Sequence, residues 1–299
     1  MMDTQELEKN IRNMFPARLV HKSDYSENIA VKTLPLIGRV HFVKDTNGIM
    51  QVSLIFAYWV YGTFSTLFII LLPQYHDGRV PAFIIYSFMA VSVMCLLSLI
   101  KASITNPGRV PLLNEDQNSI DTSNWVFCQL CNRKRPPRAH HCRRCHQCVL
   151  RMDHHCPWIN NCVGEENHFA FMLLLLYAML LSTYALILTF FHFWIWPKCS
   201  SCDKEAFHIK HSIWFMYLLV VMALNMALVM TAQFSIQSFN LFNDRTTLEN
   251  MQNAPHNMNR QRHWYMAYKE LCGRSHILCW FWPCRRRVSH LTRPGASPV

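Results

Sequence analysis

Charged residues are scarce in this chain. They make up 16% of its 299 residues, whereas hydrophobic residues make up 51%. A soluble domain of ordinary composition carries about 25% charged residues. The shortage of charge argues against a soluble globular protein and favours a protein that lies largely within a lipid bilayer.

Four long segments contain no Lys, Arg, Asp or Glu at all: residues 52–72, 81–100, 169–196 and 213–234. Each is long enough for a helix rising about 1.5 Å per residue to cross a hydrocarbon layer of about 30 Å. Buried helices of a soluble core are the alternative, but four such runs do not fit a globule of this length. The sequence predicts a mainly α, polytopic membrane protein with four transmembrane helices.

No cleavable signal peptide is expected, because residues 1–48 are polar and mixed in charge without an apolar core. We expect the first span to direct membrane insertion. Of the 29 basic residues, seven precede the first span, nine lie between the second and third, and nine follow the fourth. Cytoplasmic loops carry the excess of Lys and Arg. Both termini and the segment between spans two and three are therefore expected in the cytosol.

These features predict five segments along the chain. They are a cytosolic N-terminal segment (1–51), spans one and two (52–100), a cytosolic Cys-rich zinc-binding domain (101–168), spans three and four (169–234), and a cytosolic C-terminal segment (235–299).

Cysteine and histidine are concentrated in residues 128–162, which hold seven of the thirteen cysteines and five of the sixteen histidines. The cytosol is reducing, so clustered cysteines there are interpreted as metal ligands or nucleophiles and not as disulfides. Gaps of two residues at 128/131 and 142/145/148 let neighbouring thiolates reach one zinc ion. Outside this segment, Cys199 and Cys202 lie on the opposite side of the membrane, where a pairing is possible but sterically tight.

A count of ligands leaves one cysteine unused. Two closed tetrahedral zinc sites need eight ligands, which six cysteines and two histidines would supply. The count does not say which cysteine is left over. Local chemistry favours Cys156, because Asp153, His154 and His155 directly precede it, and these residue types deprotonate a thiol and hold the resulting imidazolium. Cys156 is therefore the candidate nucleophile, close to the membrane face.

The motifs of this segment resemble those of the DHHC-type protein S-acyltransferases. The matching residues are Cys128-x2-Cys131, Pro136, Arg138, His141-Cys142-x2-Cys145-x2-Cys148, Asp153-His154-His155-Cys156-Pro157-Trp158, Asn161-Cys162, Gly164, Asn167 and Phe171.

The flanking residues extend the resemblance. Thr246-Thr247-Leu248-Glu249 is similar to the Thr-Thr-x-Glu motif of the family, and Asn106-Pro107-Gly108 to its Asp-Pro-Gly motif. Asn106 in place of Asp removes a carboxylate from that corner, although the turn-forming Pro-Gly remains. The chain resembles the short, four-span members.

The resemblance implies two structural zinc ions. One would be held by Cys128, Cys131, His141 and Cys148, and the other by Cys142, Cys145, His155 and Cys162. Zinc would supply most of the folding energy of the segment and fix Cys156 in space.

The resemblance also implies roles around the thiol. His154 would be the general base, Asp153 would orient its ring, and Thr247 would hydrogen-bond Asp153. His154 as a zinc ligand in place of His155 remains the alternative.

The implied reaction has two steps. The Cys156 thiolate takes the acyl group from palmitoyl-CoA or a similar long-chain acyl-CoA, and a cysteine of a protein substrate then receives it. The expected partners are acyl-CoA, membrane lipid, and cytosolic or membrane-associated proteins with juxtamembrane cysteines. The expected location is an endomembrane, the Golgi or the ER, with the plasma membrane as the alternative.

Further contacts are expected for the acyl-CoA. Lys134, Arg135 and Arg138 are candidates for its phosphates, with lipid head groups as an equal alternative for these cations. The acyl chain needs a cavity between the spans, and Ser65, Ser182 and Tyr184 are candidates for its closed end.

Residues 277–284 are apolar and too short to span, and three arginines follow at 285–287. This pattern predicts an interfacial anchor within the C-terminal segment, with Cys279 and Cys284 as candidate acylation sites.

Functions of three other classes fit the sequence less well than an acyltransferase. Basic zinc modules also bind nucleic acid, but this one is tethered between two spans and lacks the spacing of a DNA-reading finger, so no nucleic-acid partner is expected. A membrane-tethered ubiquitin ligase would need a closing Cys-x2-Cys pair, whereas five residues separate Cys156 and Cys162. A zinc-stabilised, non-catalytic scaffold would not need Asp153-His154-His155-Cys156.

Overall fold

The computed structural model describes residues 29–34, 38–110, 123–200, 202–203, 205–253, 263–273 and 277–283. The candidate acylation site Cys284 and the arginines at 285–287 lie outside these residues.

Four helices of the described chain are long and apolar enough to cross a membrane, which confirms the predicted fold class. The first span, Thr46–His76, consists of α1 (Thr46–Ser65), a π-helical stretch (Thr66–Leu71) and α2 (Leu72–His76). The other three are α3 (Ala82–Ile104), α4 (His168–Trp194) and α6 (Ser212–Phe242), and a short α5 (Phe207–Lys210) precedes the last.

The first and last spans are longer than the charge-free runs. Asp45 begins α1 ahead of residue 52, because its side chain accepts a hydrogen bond from the Asn47 backbone N–H at 3.3 Å. The fourth span continues past residue 234 to Phe242 through polar residues, several of which are buried against the rest of the protein.

Helix α4 is the centre of the bundle. It packs against both α3 and α6 and is the most buried of the four spans. On the side of the bundle where α2 ends, a Cys199–Cys202 disulfide forms, and Ser200 donates its backbone N–H to Asp77 at 2.9 Å. Arg79 pairs with the same carboxylate at 2.9 Å, so this loop is tied to the end of the first span.

Between α3 and α4 the described residues, 105–110 and 123–167, fold into three short antiparallel hairpins. They pair β3 (Val126–Cys128) with β4 (Arg133–Arg135), β5 (His140–Cys142) with β6 (Gln147–Val149), and β7 (His154–Cys156) with β8 (Asn161–Val163). The register places His141 opposite Cys148 and His155 opposite Cys162. The second and third hairpins therefore present metal-ligating side chains from both of their strands, whereas the first presents Cys128 from β3 and Cys131 from its turn.

Two elements outside the spans support this segment. Strands β1 (Ile29–Leu34) and β2 (Gly38–Val43) form a hairpin that was not predicted from the sequence. Val43 of this hairpin packs against Cys142, Cys145 and Cys162. After the fourth span follow α7 (Thr247–Met251), α8 (Trp264–Cys272) and a 3-10 turn (Ile277–Phe281).

Candidate active site and metal centres

Two clusters of four ligand atoms lie within the hairpins. One contains Cys128, Cys131, His141 and Cys148, and the other contains Cys142, Cys145, His155 and Cys162. In each cluster the ligand atoms lie within 4.8 Å of one another. These are the two interleaved sets that the resemblance implies, and His155, not His154, stands in the second.

The donor geometry fits a tetrahedral metal ion. Zinc bonded at about 2.3 Å to sulfur and about 2.0 Å to nitrogen holds its ligand atoms about 3.6–3.8 Å apart. In the second cluster the Nδ1 of His155 lies 3.7, 3.4 and 3.7 Å from the sulfurs of Cys142, Cys145 and Cys162. In the first, the Nδ1 of His141 lies 3.0–4.0 Å from its three sulfurs. Both clusters could therefore hold a metal ion.

Cys156 stands outside both clusters. It ends β7 and is buried, and its thiol contacts the ring of His154 on the same strand. The Nδ1 of His154 lies 2.7 Å from Oδ2 of Asp153. An ionised carboxylate only accepts, so Nδ1 carries the proton and Nε2 is left to accept one. Thiol, imidazole and carboxylate are thus connected in that order.

Asp153 is held by several donors at once. Its Oδ1 accepts the backbone N–H of Thr247 at 2.6 Å, and its Oδ2 accepts the Thr247 hydroxyl at 3.0 Å. The amide of Gln237 in α6 donates to Oδ2 at 2.7 Å. With His154 included, these donors keep the carboxylate charged although only 2% of its surface is exposed.

The electrostatics of this pair favour the charged forms of both groups. Burial acts to lower the pKa of His154, but the hydrogen bond to Asp153 and the contact with Cys156 outweigh it and raise the pKa to about 9. Burial acts to raise the pKa of Asp153, but the His154 hydrogen bond, the charges of His168 and His154, and the Thr247 N–H hold it well below its usual range. The site can therefore hold His154 as an imidazolium next to the Asp153 carboxylate.

Asparagine side chains tie the Cys156 loop to the end of α3. The Nδ2 of Asn161 donates to the carbonyl oxygens of Ala102, Ser103 and Thr105 at 2.8–3.2 Å. The Nδ2 of Asn167 donates to Ala102 and to Cys162 at 3.3 and 2.7 Å. The Ala102 and Ser103 carbonyls lie in the last turn of α3, where helical N–H partners are missing, and the asparagines satisfy them.

A third asparagine, Asn160, holds the Cys156 loop against β2 and α1. Asn160, in a left-handed conformation with φ 46°, donates to the Val43 carbonyl at 2.9 Å. Its side chain also lies against Gly48 in α1, where an added Cβ would stand 2.1 Å from Oδ1. Only glycine permits this approach.

A cavity of about 430 Å³ opens beside Cys156 and runs between the spans. His154 and Cys156 contribute to its wall, which is mainly apolar. Along α4 the wall extends from Phe171 to Ala185, about 21 Å at 1.5 Å per residue. Such a cavity matches a long, unbranched apolar chain attached next to the thiol.

Of the three polar residues expected at the closed end of the cavity, one lines it and two do not. Ser182 lines the cavity. Tyr184 hydrogen-bonds Ser87 at 2.8 Å and packs its ring edge on Phe88, which itself lines the cavity, so Tyr184 lies behind the wall. Ser65 is buried and is not among the lining residues of the described chain.

Arg138 has a different role from the one the sequence suggested. Its Nε and Nη2 donate to the two carboxylate oxygens of Glu249 at 2.6 and 2.9 Å, and Nη2 also donates to the Asp244 carbonyl at 2.8 Å. The Asp244 carboxylate lies 3.4 Å from Nη1. This charge is neutralised within the protein, so we correct its interpretation as a phosphate contact. Lys134 on β4 is exposed and Arg135 is half-buried.

Comparisons with known proteins agree with this geometry. A family model described as DHHC palmitoyltransferase matches residues 121–254. Palmitoyltransferase ZDHHC21 of Mus musculus is 38% identical over 250 residues, covering 83% of this chain and 94% of the relative. Human ZDHHC21 shows the same identity and coverage. Palmitoyltransferase ZDHHC3 of Rattus norvegicus is 31% identical over 262 residues, covering 83% of this chain and 84% of the relative.

The chain belongs to the DHHC palmitoyltransferase family. Membership confirms the resemblance and the predicted enzyme class, so this DHHC protein is a protein S-palmitoyltransferase and an integral membrane protein. The ubiquitin ligase and scaffold alternatives are not favoured.

Gln237 is a buried group of this DHHC site that was not predicted from the sequence. A signal was present, because Gln233, Gln237, Asn240 and Asp244 recur at spacings of four, three and four residues along the end of the fourth span. That period places polar side chains on one helical face.

Proposed function

We propose that Cys156 carries the acyl group during protein S-palmitoylation. The observation that supports this most directly is the position of its thiol. Of the seven cysteines in 128–162, all of them described by the structure, Cys156 alone stands outside the two four-residue clusters. It also lines the cavity between the spans, together with His154. A thiol that is free of metal and open to an apolar cavity suits an acyl-enzyme intermediate.

The chemistry follows from the His154 tautomer. Nε2 of His154 takes the Cys156 proton, and Asp153 stabilises the imidazolium. The thiolate attacks the thioester carbonyl of a long-chain acyl-CoA, a new S–C bond forms, and the bond to CoA sulfur breaks. The leaving thiolate takes the proton from the imidazolium. A cysteine of a protein substrate then repeats the sequence at the acyl-enzyme, with His154 as its base.

We propose that both metal sites hold structural Zn²⁺. Three thiolates and one imidazole in each cluster form a donor set that zinc favours for closed sites. Bound zinc would hold its four ligands together and so fold the hairpins. Hydrogen bonds of the chain itself add to this, since Asn161 and Asn167 attach the third hairpin and the segment after it to the end of α3, and Asn160 attaches that hairpin to β2.

The acyl-CoA would lie across the surface of the Cys-rich domain with its chain in the cavity. The chain would extend along α4 toward Ser182 and Ala185. Lys134 and Arg135 on β4 remain the proposed contacts for the CoA phosphates, because Lys134 is exposed, Arg135 is only half-buried, and phosphate attracts cations near the bilayer. Thr247 would support the catalytic loop through its two hydrogen bonds to Asp153.

The membrane arrangement remains the one that the basic residues favour. The five segments 1–51, 52–100, 101–168, 169–234 and 235–299 are proposed with both termini and the Cys-rich domain in the cytosol of an endomembrane, the Golgi or ER. Substrates would be cytosolic or membrane-associated proteins with cysteines close to the bilayer.

The C-terminal anchor has structural support. The hydroxyl of Tyr177 in α4 donates to the Phe281 carbonyl at 2.6 Å, so the 3-10 turn lies alongside a span. Leu278 and Trp282 are exposed there, which suits contact with lipid. Cys279 is also exposed and remains a candidate acylation site.

The test is acyl loading of the purified protein with labelled palmitoyl-CoA. The wild type should acquire a hydroxylamine-labile label, and Cys156→Ser should abolish it while the zinc content stays near two per chain. Cys279→Ser, which removes an exposed thiol outside both clusters, is the matched control, and its Cys156 should load like that of the wild type. A thioester label that persists on Cys156→Ser would disprove the proposed nucleophile.

A further inference from the structure

Gln237 lies between the catalytic carboxylate and the start of the third span. It is fully buried, with 0% of its surface exposed. Its Nε2 donates to Asp153 Oδ2 at 2.7 Å and to the Thr247 hydroxyl at 3.1 Å. Its Oε1 lies 3.2 Å from Nε2 of His168, the first residue of α4. One side chain thus contacts residues from three separate elements.

These partners fix the orientation of the amide. The Asp153 carboxylate accepts hydrogen bonds only, so the NH₂ end of Gln237 must face it. The oxygen end then faces His168, which can satisfy it by donating from Nε2. A flipped amide would place Oε1 against the carboxylate and NH₂ against an N–H donor. Gln237 therefore has one favourable orientation, set from both ends.

We propose that Gln237 is a positioning residue for acyl transfer, which holds the Asp153 carboxylate so that His154 presents Nε2 to Cys156. This inference rests on the proposed function of those three residues. Oδ2 of Asp153 has three donors, namely His154, Gln237 and the Thr247 hydroxyl. Without Gln237, the Asp153 carboxylate and the His154 ring bonded to it would be held less firmly. A small displacement of the general base lowers the reaction rate by a large factor.

The test compares Gln237→Met with the wild type in single-turnover acylation by palmitoyl-CoA. Methionine keeps the length and volume of the side chain but removes its donors and acceptor. The maximal loading rate should fall about tenfold or more, whereas the KM for palmitoyl-CoA should stay within about twofold, since the lost contacts lie on Asp153 and not along the acyl chain. Ser235→Ala is the control, because its exposed hydroxyl bonds the Thr231 carbonyl of the same helix.

A double-mutant cycle separates positioning from general damage. If Gln237 acts through Asp153, Gln237→Met should cost nothing further in an Asp153→Asn background. An equal loss in both backgrounds, or a parallel rise in KM, would overturn the proposal, as would loading of Gln237→Met at the wild-type rate.

A second variant covers the case in which Gln237→Met does not fold. Gln237→Glu keeps the shape and the acceptor toward His168 but removes the donor to Asp153. It should also load about tenfold more slowly or worse, with two zinc ions retained, and normal loading would overturn the proposal. Failure of the wild type to load Cys156 would instead refute the proposed function itself.

Discussion

Neutralising Glu249 is the sharpest test of how the C-terminal segment supports the catalytic loop. Glu249 has two functions in the structure. It pairs with Arg138 of the Cys-rich segment at 2.6 and 2.9 Å. It also completes a capping box at the start of α7, accepting the Thr246 backbone N–H at 2.9 Å. Glu249→Gln keeps the cap, because glutamine serves equally at that position, and it removes the charge and the acceptor oxygen that faces Nε of Arg138.

The expected loss of stability follows from these contacts. Removing one partner of a buried ion pair costs about 3–5 kcal/mol. Arg138 retains 20% side-chain exposure and the Asp244 contacts, so we expect a smaller loss, about 2–4 kcal/mol. Glu249→Ala loses the cap as well, which adds about 0.5–2 kcal/mol. The ordering of the two variants therefore separates the ion pair from the cap.

The assay is thermal unfolding in detergent, together with acyl loading. For a chain of 299 residues, a loss of 2–4 kcal/mol corresponds to a fall of about 3–6 °C in the unfolding midpoint. Loading should also slow, because Thr247 in the same helix donates to Asp153. Glu205→Gln breaks the exposed pair with Lys210 and should leave the midpoint nearly unchanged. If Glu249→Gln matched the wild type in both midpoint and loading, the proposed coupling would be wrong.

Three further predictions follow from the loop contacts and the metal clusters. Gly48→Ala should lower the unfolding midpoint and slow loading, because the added Cβ would overlap the side chain of Asn160. Gly62→Ala is the control and should not lower the midpoint, because no atom lies within 4 Å of an added Cβ there, and equal effects of the two variants would contradict this packing. Asn161→Ala should destabilise by about 1–3 kcal/mol by leaving buried carbonyls at the end of α3 unpaired, and an unchanged midpoint would refute that role. Chelation that removes both metal ions should unfold the hairpins and stop loading of Cys156, whereas full loading by metal-free protein would disprove a structural metal.

The sequence predicted the four spans because charged side chains that would face lipid are excluded from the hydrocarbon layer. It did not predict where the first and last spans end. Asp45 begins α1 as a cap, and Gln237 and Asn240 continue the fourth span as buried polar residues. Composition cannot tell such residues from those that end a span, because their partners come from distant parts of the chain.

The metal clusters could be predicted because their ligands lie close together in sequence, and the resemblance assigned them to two sets. The ion pair of Arg138 could not be predicted. Glu249 is 111 residues away, so only the fold brings the two together. A basic residue near the membrane was therefore interpreted as a phosphate contact. The N-terminal hairpin was missed for a similar reason, since its Val43 packs on the distant cysteine cluster.

The most direct test of the account is native mass spectrometry after incubation with palmitoyl-CoA, followed by peptide mapping. We predict a species that holds two zinc ions and one palmitoyl group at the same time, with the acyl group on Cys156. An acyl group that appears only as zinc is lost, or one found only on a different cysteine, would contradict the claim that this thiol is kept free of metal for acyl transfer.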